Sequence, residues 1–378
     1  MKNEPNRDFL ARREPAKQAR GSLVWALAAF VALQAALSIV MDRWLPELRD
    51  PEYGAKLHRL RALQAERPGE PLILVIGSSR SAMGLRPASF PACHMGDGRS
   101  PLVFNFGMTG YGPVQELALL DRLLRDGVRP EQVMIEVHPL LLHQENGYGE
   151  ETWLNVNCLD WDDLCLVSRY ASRAGVLRRQ WLESRLWPWH SRRFLILDRF
   201  MPRWAPPETR QNAWSSLDAR GWLPHHRQRV TAEEYRQGQE HARREYQPAL
   251  EGFRVTGLAD RAMCELLELC SRESIAAALY VMPEGSEFRS WYPPAARGEI
   301  EAYLAKLSRQ YGCPCYDAAA WCADEDFWDG HHLLPGGARR FSARFGREAM
   351  QPMLETFAER KALIARGAER ASSRESRQ

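Results

Sequence analysis

Leu72-Ile73-Leu74-Val75-Ile76-Gly77-Ser78-Ser79-Arg80 opens with five consecutive aliphatic residues and stops at Gly-Ser-Ser. A run that is apolar on both faces is the pattern of a strand buried inside a parallel sheet, and such a strand delivers the residues after it to the sheet's carboxyl edge. Far along the chain, Phe327-Trp328-Asp329-Gly330-His331-His332-Leu333 sets a carboxylate three residues before a histidine. In one tight turn that spacing lets Asp329 reach Nδ1–H of His332 and leaves Nε2 facing a serine hydroxyl, the geometry that general-base activation requires.

Outward from the first strand, Leu102 to Phe106 reads as a second strand ending at Gly107. Gly112-Pro113 opens a helix whose Leu117, Leu120 and Leu124 share a face until Gly127, and Gln132 to Val137 is a third strand. After an interruption the rhythm resumes with a helix from Leu258 to Ser271, a strand from Ile275 to Met282, a helix from Gly298 to Gln310, a short strand around Cys315 and a helix starting near Gly336. This alternation predicts an α/β fold, a parallel sheet with right-handed crossovers and helices on both faces. At 378 residues, 45% hydrophobic and 26% charged, the chain has enough material for one large core plus an insertion.

The interruption, about 140–250, is read as a mostly helical insertion. It holds eight of the 13 tryptophans (Trp153, Trp161, Trp181, Trp187, Trp189, Trp204, Trp214, Trp222) among many arginines. Tryptophans in such a cap more often form its own small core, although Trp and Arg together also suit an acidic glycan.

Gly21 to Val40 carries no charge and as a helix spans roughly 30 Å, one hydrocarbon core. Six basic residues precede it (Lys2, Arg7, Arg12, Arg13, Lys17, Arg20), whereas mixed charges follow. The positive-inside rule therefore keeps the N-terminus cytoplasmic and the main domain extracytoplasmic, on a single-pass cell-membrane (inner-membrane) anchor. A cleaved signal peptide or a buried helix are the alternatives. The expected organisation is a cytoplasmic segment 1–20, an anchor 21–41, a stalk or covering helix within 42–70, the α/β domain 71–352 and a polar tail 353–378. A net charge of +3 does not point to nucleic acid, and an exported domain is in the wrong compartment for it.

Eight cysteines in an oxidising compartment make pairing plausible, with Cys158 and Cys165 the first candidate disulfide and Cys313 or Cys315 with Cys322 a second. The spacing of Cys313, Cys315, His331 and His332 matches no common zinc pattern. Neither a metal nor another cofactor is expected.

Gly77-Ser78-Ser79, Gly107 and Asp329-x-x-His332 resemble the spaced blocks of the SGNH (GDSL-like) hydrolases, over about 71–351 outside the insertion. Ser78 stands where the usual first block has aspartate, a variant similar to that of membrane-anchored cell-envelope O-acyl-transfer proteins of the alginate O-acetylation and D-alanyl transfer type. The resemblance implies a three-layer, flavodoxin-like parallel sheet. It further implies Ser79 as nucleophile, His332 as general base and then acid, and Asp329 as the group that orients His332. Ser78 is the alternative nucleophile. Backbone N–H groups of Ser79 and Gly107 are the implied oxyanion donors, with Asn105 a further candidate, although Gly107 also reads simply as the end of a strand.

One departure is the absence of asparagine after the third strand, where Glu136-Val137-His138-Pro139 stands. His138 is then the residue to replace it or to line the pocket. Glu284 and Arg289, in the segment after the fourth strand, are candidate substrate contacts at the sheet's carboxyl edge, or else part of a solvated loop. The function implied is a serine acyltransferase or esterase acting on O-acyl groups, O-acetyl foremost, of an envelope or secreted polysaccharide. A polytopic membrane O-acyltransferase is the implied partner. The alternative is a non-catalytic glycan-binding or scaffold protein.

Overall fold

The computed structural model describes residues 13–145, 149–205 and 216–358. Residues 1–12, Trp214 and the tail beyond 358 lie outside them. In chain order the main elements are α1 (Arg13–Arg43), α2 (Pro51–Glu66), β1 (Leu72–Ile76), α3 (Ser79–Gly84), β2 (Leu102–Asn105), α4 (Pro113–Arg125), β3 (Gln132–Glu136), α5 (Ala174–Leu186), α6 (Pro188–Phe200), α7 (Ala232–Leu250), α8 (Gly257–Arg272), β4 (Ala276–Val281), α9 (Pro294–Tyr311), β5 (Cys315–Asp317) and α10 (Pro335–Phe345). They fall into two compact units, one of 1–51, 156–164 and 173–211, the other of 52–155, 165–172 and 212–378.

The first unit is built on α1, whose stretch Arg20–Arg43 is long and apolar enough to cross a membrane and leaves that surface uncovered. The second unit is the α/β domain. Its five strands are all parallel in the order β2-β1-β3-β4-β5. Register is set by Ile73 opposite Val103 on one side and Gln132 on the other. Side chains alternate between faces along each strand. Ile73, Val75, Val103, Met134 and Tyr280 therefore meet Phe341, Phe345, Met350 and Met353 on one side, while α4 and α8 pair on the other. Each fully buried aliphatic or aromatic side chain of this kind contributes about 1.5–3 kcal/mol relative to exposure. The chain adds β2 on one side of β1 and β3, β4 and β5 on the other, so the direction of strand addition reverses between β1 and β3. In an open α/β sheet the crevice at that reversal, outside the carboxyl ends, is where ligands bind, and β1 ends at Ile76, with only Gly77 and Ser78 before Ser79.

Several boundaries differ from the sequence expectation. Of the two alternatives for 42–70, a stalk or a covering helix, α2 is the covering helix of the second unit, because Tyr53, Lys56, Leu57, Leu60 and Leu63 are all buried. The insertion is split: 156–164 and 173–211 join the first unit, whereas α7 and the residues around Trp222 belong to the second. There the Asn105 N–H donates to Arg220 O at 2.9 Å and the Trp222 indole to Met83 O at 2.6 Å. The α/β domain also runs past 352, since the terminal helix buries Met353 and Leu354 in the core. None of Cys158, Cys165, Cys313, Cys315 and Cys322 is joined in a disulfide, which corrects both proposed bridges. Cys158 and Cys165 fall in different units; the first lies beside the Arg192 guanidinium and the second is exposed.

Candidate active site

Ser79 follows β1 as the first residue of the short helix α3. Its hydroxyl lies 2.8 Å from Nε2 of His332, 253 residues further on. Nδ1 of the same ring is 2.8 Å from Oδ2 of Asp329. The Asp329 Oδ1 accepts the backbone N–H groups of His331 at 3.1 Å and His332 at 2.8 Å. Burial opposes charge on this carboxyl, but the two histidine rings and the N–H donors outweigh it and hold Asp329 well below the usual carboxylate range. With Asp329 ionised, Nδ1 carries the proton and Nε2 is free to accept from Ser79. The structure thus brings Ser79, His332 and Asp329 together in one hydrogen-bonded line.

His331 turns inward. It is buried against Phe288 and Tyr246, with ring centroids at 5.1 and 5.3 Å, and Nδ1 lies 3.3 Å from Asp329 Oδ1. Ligand atoms of Asp329, His331 and His332 lie within 4.8 Å of one another, a spacing that also suits a cation. The aspartate oxygens, however, already accept three N–H groups. Burial, opposed by Asp329, pushes the His331 pKa down to about 3. An unfolded chain protonates this histidine below about 6.5, so between about pH 6.5 and 3 the unfolded state holds the extra proton and stability falls as pH falls. We expect His331→Asn to remove one proton's worth of that slope, about 1.4 kcal/mol per pH unit. Urea unfolding of the detergent-solubilised chain at several pH values measures it, and an unchanged slope contradicts the assignment.

The oxyanion donors require correction. Gly107 N–H is already donated to Asn105 Oδ1 at 2.8 Å. The Asn105 amide in turn donates to Ser81 O at 2.7 Å and Leu85 O at 2.5 Å. An N–H has one hydrogen, so neither residue is poised toward a tetrahedral intermediate; both tie β2 to α3. Gly107 is glycine because a Cβ there would sit 2.6 Å from Ala82 N, in the backbone of α3. Gly107→Ala is therefore expected to cost about 1–3 kcal/mol of stability through overpacking and to lower turnover only by displacing α3. Thermal unfolding read beside kcat separates the two effects, and an unaltered melting temperature counts against this account. The Ser79 N–H, at the first position of a helix, has no intrahelical acceptor, and no described residue accepts it.

Ser78 is occupied elsewhere. Its N–H and hydroxyl donate to Glu136 Oε2 at 2.8 and 2.9 Å, and its Oγ accepts from Arg80 N at 3.1 Å. Glu136 also receives the Ser81 hydroxyl at 2.5 Å. Gly77 leaves room for that carboxylate, since a Cβ there would lie 2.5 Å from Glu136 Oε2. A carboxylate thus reaches the turn before the nucleophile position from β3, although Ser78 itself brings none.

Arg80, 1% exposed, ties this turn to the fourth strand. Its Nη2 donates to Met282 O at 3.0 Å and lies 3.2 Å from Glu284 Oε1, and Nε lies 3.9 Å from Glu136 Oε1. Glu284 accepts the Tyr292 hydroxyl at 2.9 Å. It is a buried ion-pair partner and not an open substrate contact. Arg289 is half-buried, its guanidinium bonded to the carbonyls of Glu284 and Ala319. Both residues line a cavity of about 300 Å³ with Tyr292, Arg297 and Trp321. His138, the other candidate pocket residue, is not exposed. It is buried behind Tyr246, ring centroids 5.7 Å apart, and burial together with Arg80 keeps it neutral, well below its ordinary pKa.

Sequence reasoning missed Lys56, Arg80 and Glu136. Lys56 is fully buried on α2 and donates to Gly107 O at 2.7 Å and Gly221 O at 2.9 Å. Burial, opposed by Glu52 and Asp218, brings its pKa down to about 8. The available signal was its position on the same helical face as Tyr53, Leu60 and Leu63. His225, stacked on Trp328 at 5.1 Å, and Trp328, 6.4 Å from the His332 ring, form an aromatic wall beside the histidine.

No protein-family model matches the chain, and no curated protein does. Among solved structures it is similar to a Bacteroides fragilis protein titled a "putative acylhydrolase", at 11% identity and a TM-score of 0.34, over 81% of this chain and 97% of that one. A likeness this distant carries no functional argument.

Proposed function

We propose that the chain is a membrane-anchored SGNH-like serine acyltransferase or esterase that acts on O-acyl groups, O-acetyl foremost, of an envelope or secreted polysaccharide. One observation carries the reading: the unbroken line from Ser79 Oγ through His332 to Asp329, each link 2.8 Å. Nε2 of His332 takes the hydroxyl proton as Oγ attacks the ester carbonyl. The negative oxygen of the tetrahedral species is held by the Ser79 N–H. Collapse breaks the bond to the donor's alkoxide, which takes the proton from His332 and departs as the alcohol, and the acyl group stays on Ser79 Oγ as an ester. A sugar hydroxyl or water then gives its proton to His332 and attacks the acyl carbonyl, and the proton returns to Ser79. Trp328 and His225 offer an apolar, stacking wall for an acyl group or a sugar face.

The charge distribution around the anchor supports a cytoplasmic N-terminus, and a polytopic membrane O-acyltransferase is the matching source of acyl groups. Mass spectrometry of envelope glycans from strains carrying wild-type or Ser79→Ala protein tests the proposal. Loss of an ester in the variant indicates transfer, gain indicates removal, and identical glycans defeat both. The engagement of Gly107 and Asn105, which leaves a single backbone oxyanion donor from the expected set, favours a second reading as a non-catalytic scaffold. Polysaccharide binding without fluorophosphonate labelling of Ser79 would support that reading.

A further inference from the structure

The large hydrophobic side chains left exposed among the described residues all belong to the first unit. Eight of the 19 lie in the apolar stretch of α1, and Trp44 follows directly after it. The rest include Leu182, Leu186, Trp187, Trp189, Phe200 and Trp204, on or beside α5 and α6. Leu186 is 63% exposed and Phe200 57%, as bare as Leu27 of α1 at 64%. A water-soluble surface does not carry patches of this kind without a partner.

Two observations identify the partner. The first is where α5 and α6 touch α1. Trp187, the single residue between them, packs on Phe30 with ring centroids 5.8 Å apart, and Trp189 N–H donates to Gln34 Oε1 at 3.2 Å. Phe30 and Gln34 lie inside the uncharged stretch Gly21 to Val40 and not at its polar end. Further along, Arg185 pairs with Asp42 at 3.3 Å and Arg192 donates to the carbonyls of Leu48 and Arg49, fastening the pair to the C-terminal end of α1 and to the short helix Pro46–Arg49 that follows it. The helix pair is thus continuous with the surface that α1 presents to lipid. The second observation is charge. Residues 173–205 contain eight arginines and two acids, a net +6 in a chain whose total is +3. Arg178, Arg199 and Arg203 are exposed and have no ion-pair partner among the described residues. Basic side chains interleaved with Trp, Phe and Leu at the end of a membrane-spanning helix are what an element lying in a bilayer interface requires.

We propose that α5 and α6 are a second membrane-binding element, embedded in the leaflet on the C-terminal side of α1, with their apolar residues among the acyl chains and Arg178, Arg199 and Arg203 on the phosphates of anionic phospholipids. The element adds a second point of attachment to the one that α1 provides. It stands apart from the acyl-transfer reading, since no residue of that site takes part.

The test uses the full-length chain in vesicles of phosphatidylglycerol and phosphatidylcholine, with benzoyl-phenylalanine placed singly at Leu186 or Phe200. Leu27 in α1 serves as the positive control and exposed Arg309 of the α/β domain as the negative one. Irradiation is expected to give lipid adducts at Leu186 and Phe200 comparable to those at Leu27, and none at Arg309. Replacing Arg178, Arg199 and Arg203 with glutamine should bring the ratio of phosphatidylglycerol to phosphatidylcholine adducts down toward the mixing ratio while adducts persist. Adducts at Leu27 without adducts at Leu186 and Phe200, or cross-links there only to a second copy of the chain, overturn the proposal.

Discussion

Ser79→Ala is expected to abolish labelling by a serine-directed fluorophosphonate and to lower acyl transfer by about 10⁴-fold or more. Among the described residues this is the only hydroxyl bonded to His332, so on the proposed reading its removal deletes the attacking atom and does not touch substrate binding. His332→Ala is expected to lose about as much, and the double variant scarcely more, because serine and histidine act as one device and their losses do not add. Ser78→Ala is the informative contrast. Its hydroxyl is bonded to Glu136 and to Arg80 N, so the variant should weaken the turn by about 1–2 kcal/mol and still be labelled. Labelling that survives in Ser79→Ala but not in Ser78→Ala would reverse the assignment.

Arg80→Met should be the most damaging single change to stability, about 3–5 kcal/mol. The guanidinium is fully buried between Glu284 and Glu136 and also satisfies the carbonyls of Met282 and Pro283. Its removal strands two carboxylates in the interior without their counter-charge. In a domain of this size the loss corresponds to a fall in melting temperature of roughly 6–20 °C. Burial already raises the pKa of Glu284 above the ordinary carboxylate value, with Arg80 opposing the rise. Without Arg80 the rise is larger, so the folded variant takes up protons that the unfolded chain does not, and its deficit should shrink as pH falls. A double variant, Arg80→Met with Glu284→Leu, should recover part of the loss, since a buried ion pair is replaceable by apolar packing. Thermal unfolding in detergent at two pH values decides the matter. A shift below about 2 °C would mean that the network is not under the stress described here.

The strands, the main amphipathic helices, the membrane-length helix and the Ser79 and Asp329-x-x-His332 elements were all legible in the sequence. Each is local: burial on both faces writes an unbroken apolar run at Leu72–Ile76, one buried face writes the leucine spacing of Pro113–Arg125, and a turn of three residues lets Asp329 reach His332. Partner choice is not local, and only the tertiary structure decided it. Glu136 ends β3 as the edge of an apolar strand in sequence, yet in the fold it supports a turn 58 residues earlier. Gly107 reads as an oxyanion donor until the side chain two residues before it takes the N–H. Arg80 gave no sign of burial, and Lys56 only its place on the apolar face of α2, because a charged residue enters a core only where carbonyls and carboxylates from distant segments converge on it. Hydropathy records how much of each residue is hidden. Which atoms then meet depends on where the chain crosses itself, and that is decided by the packing of the sheet, its helices and the insertion together.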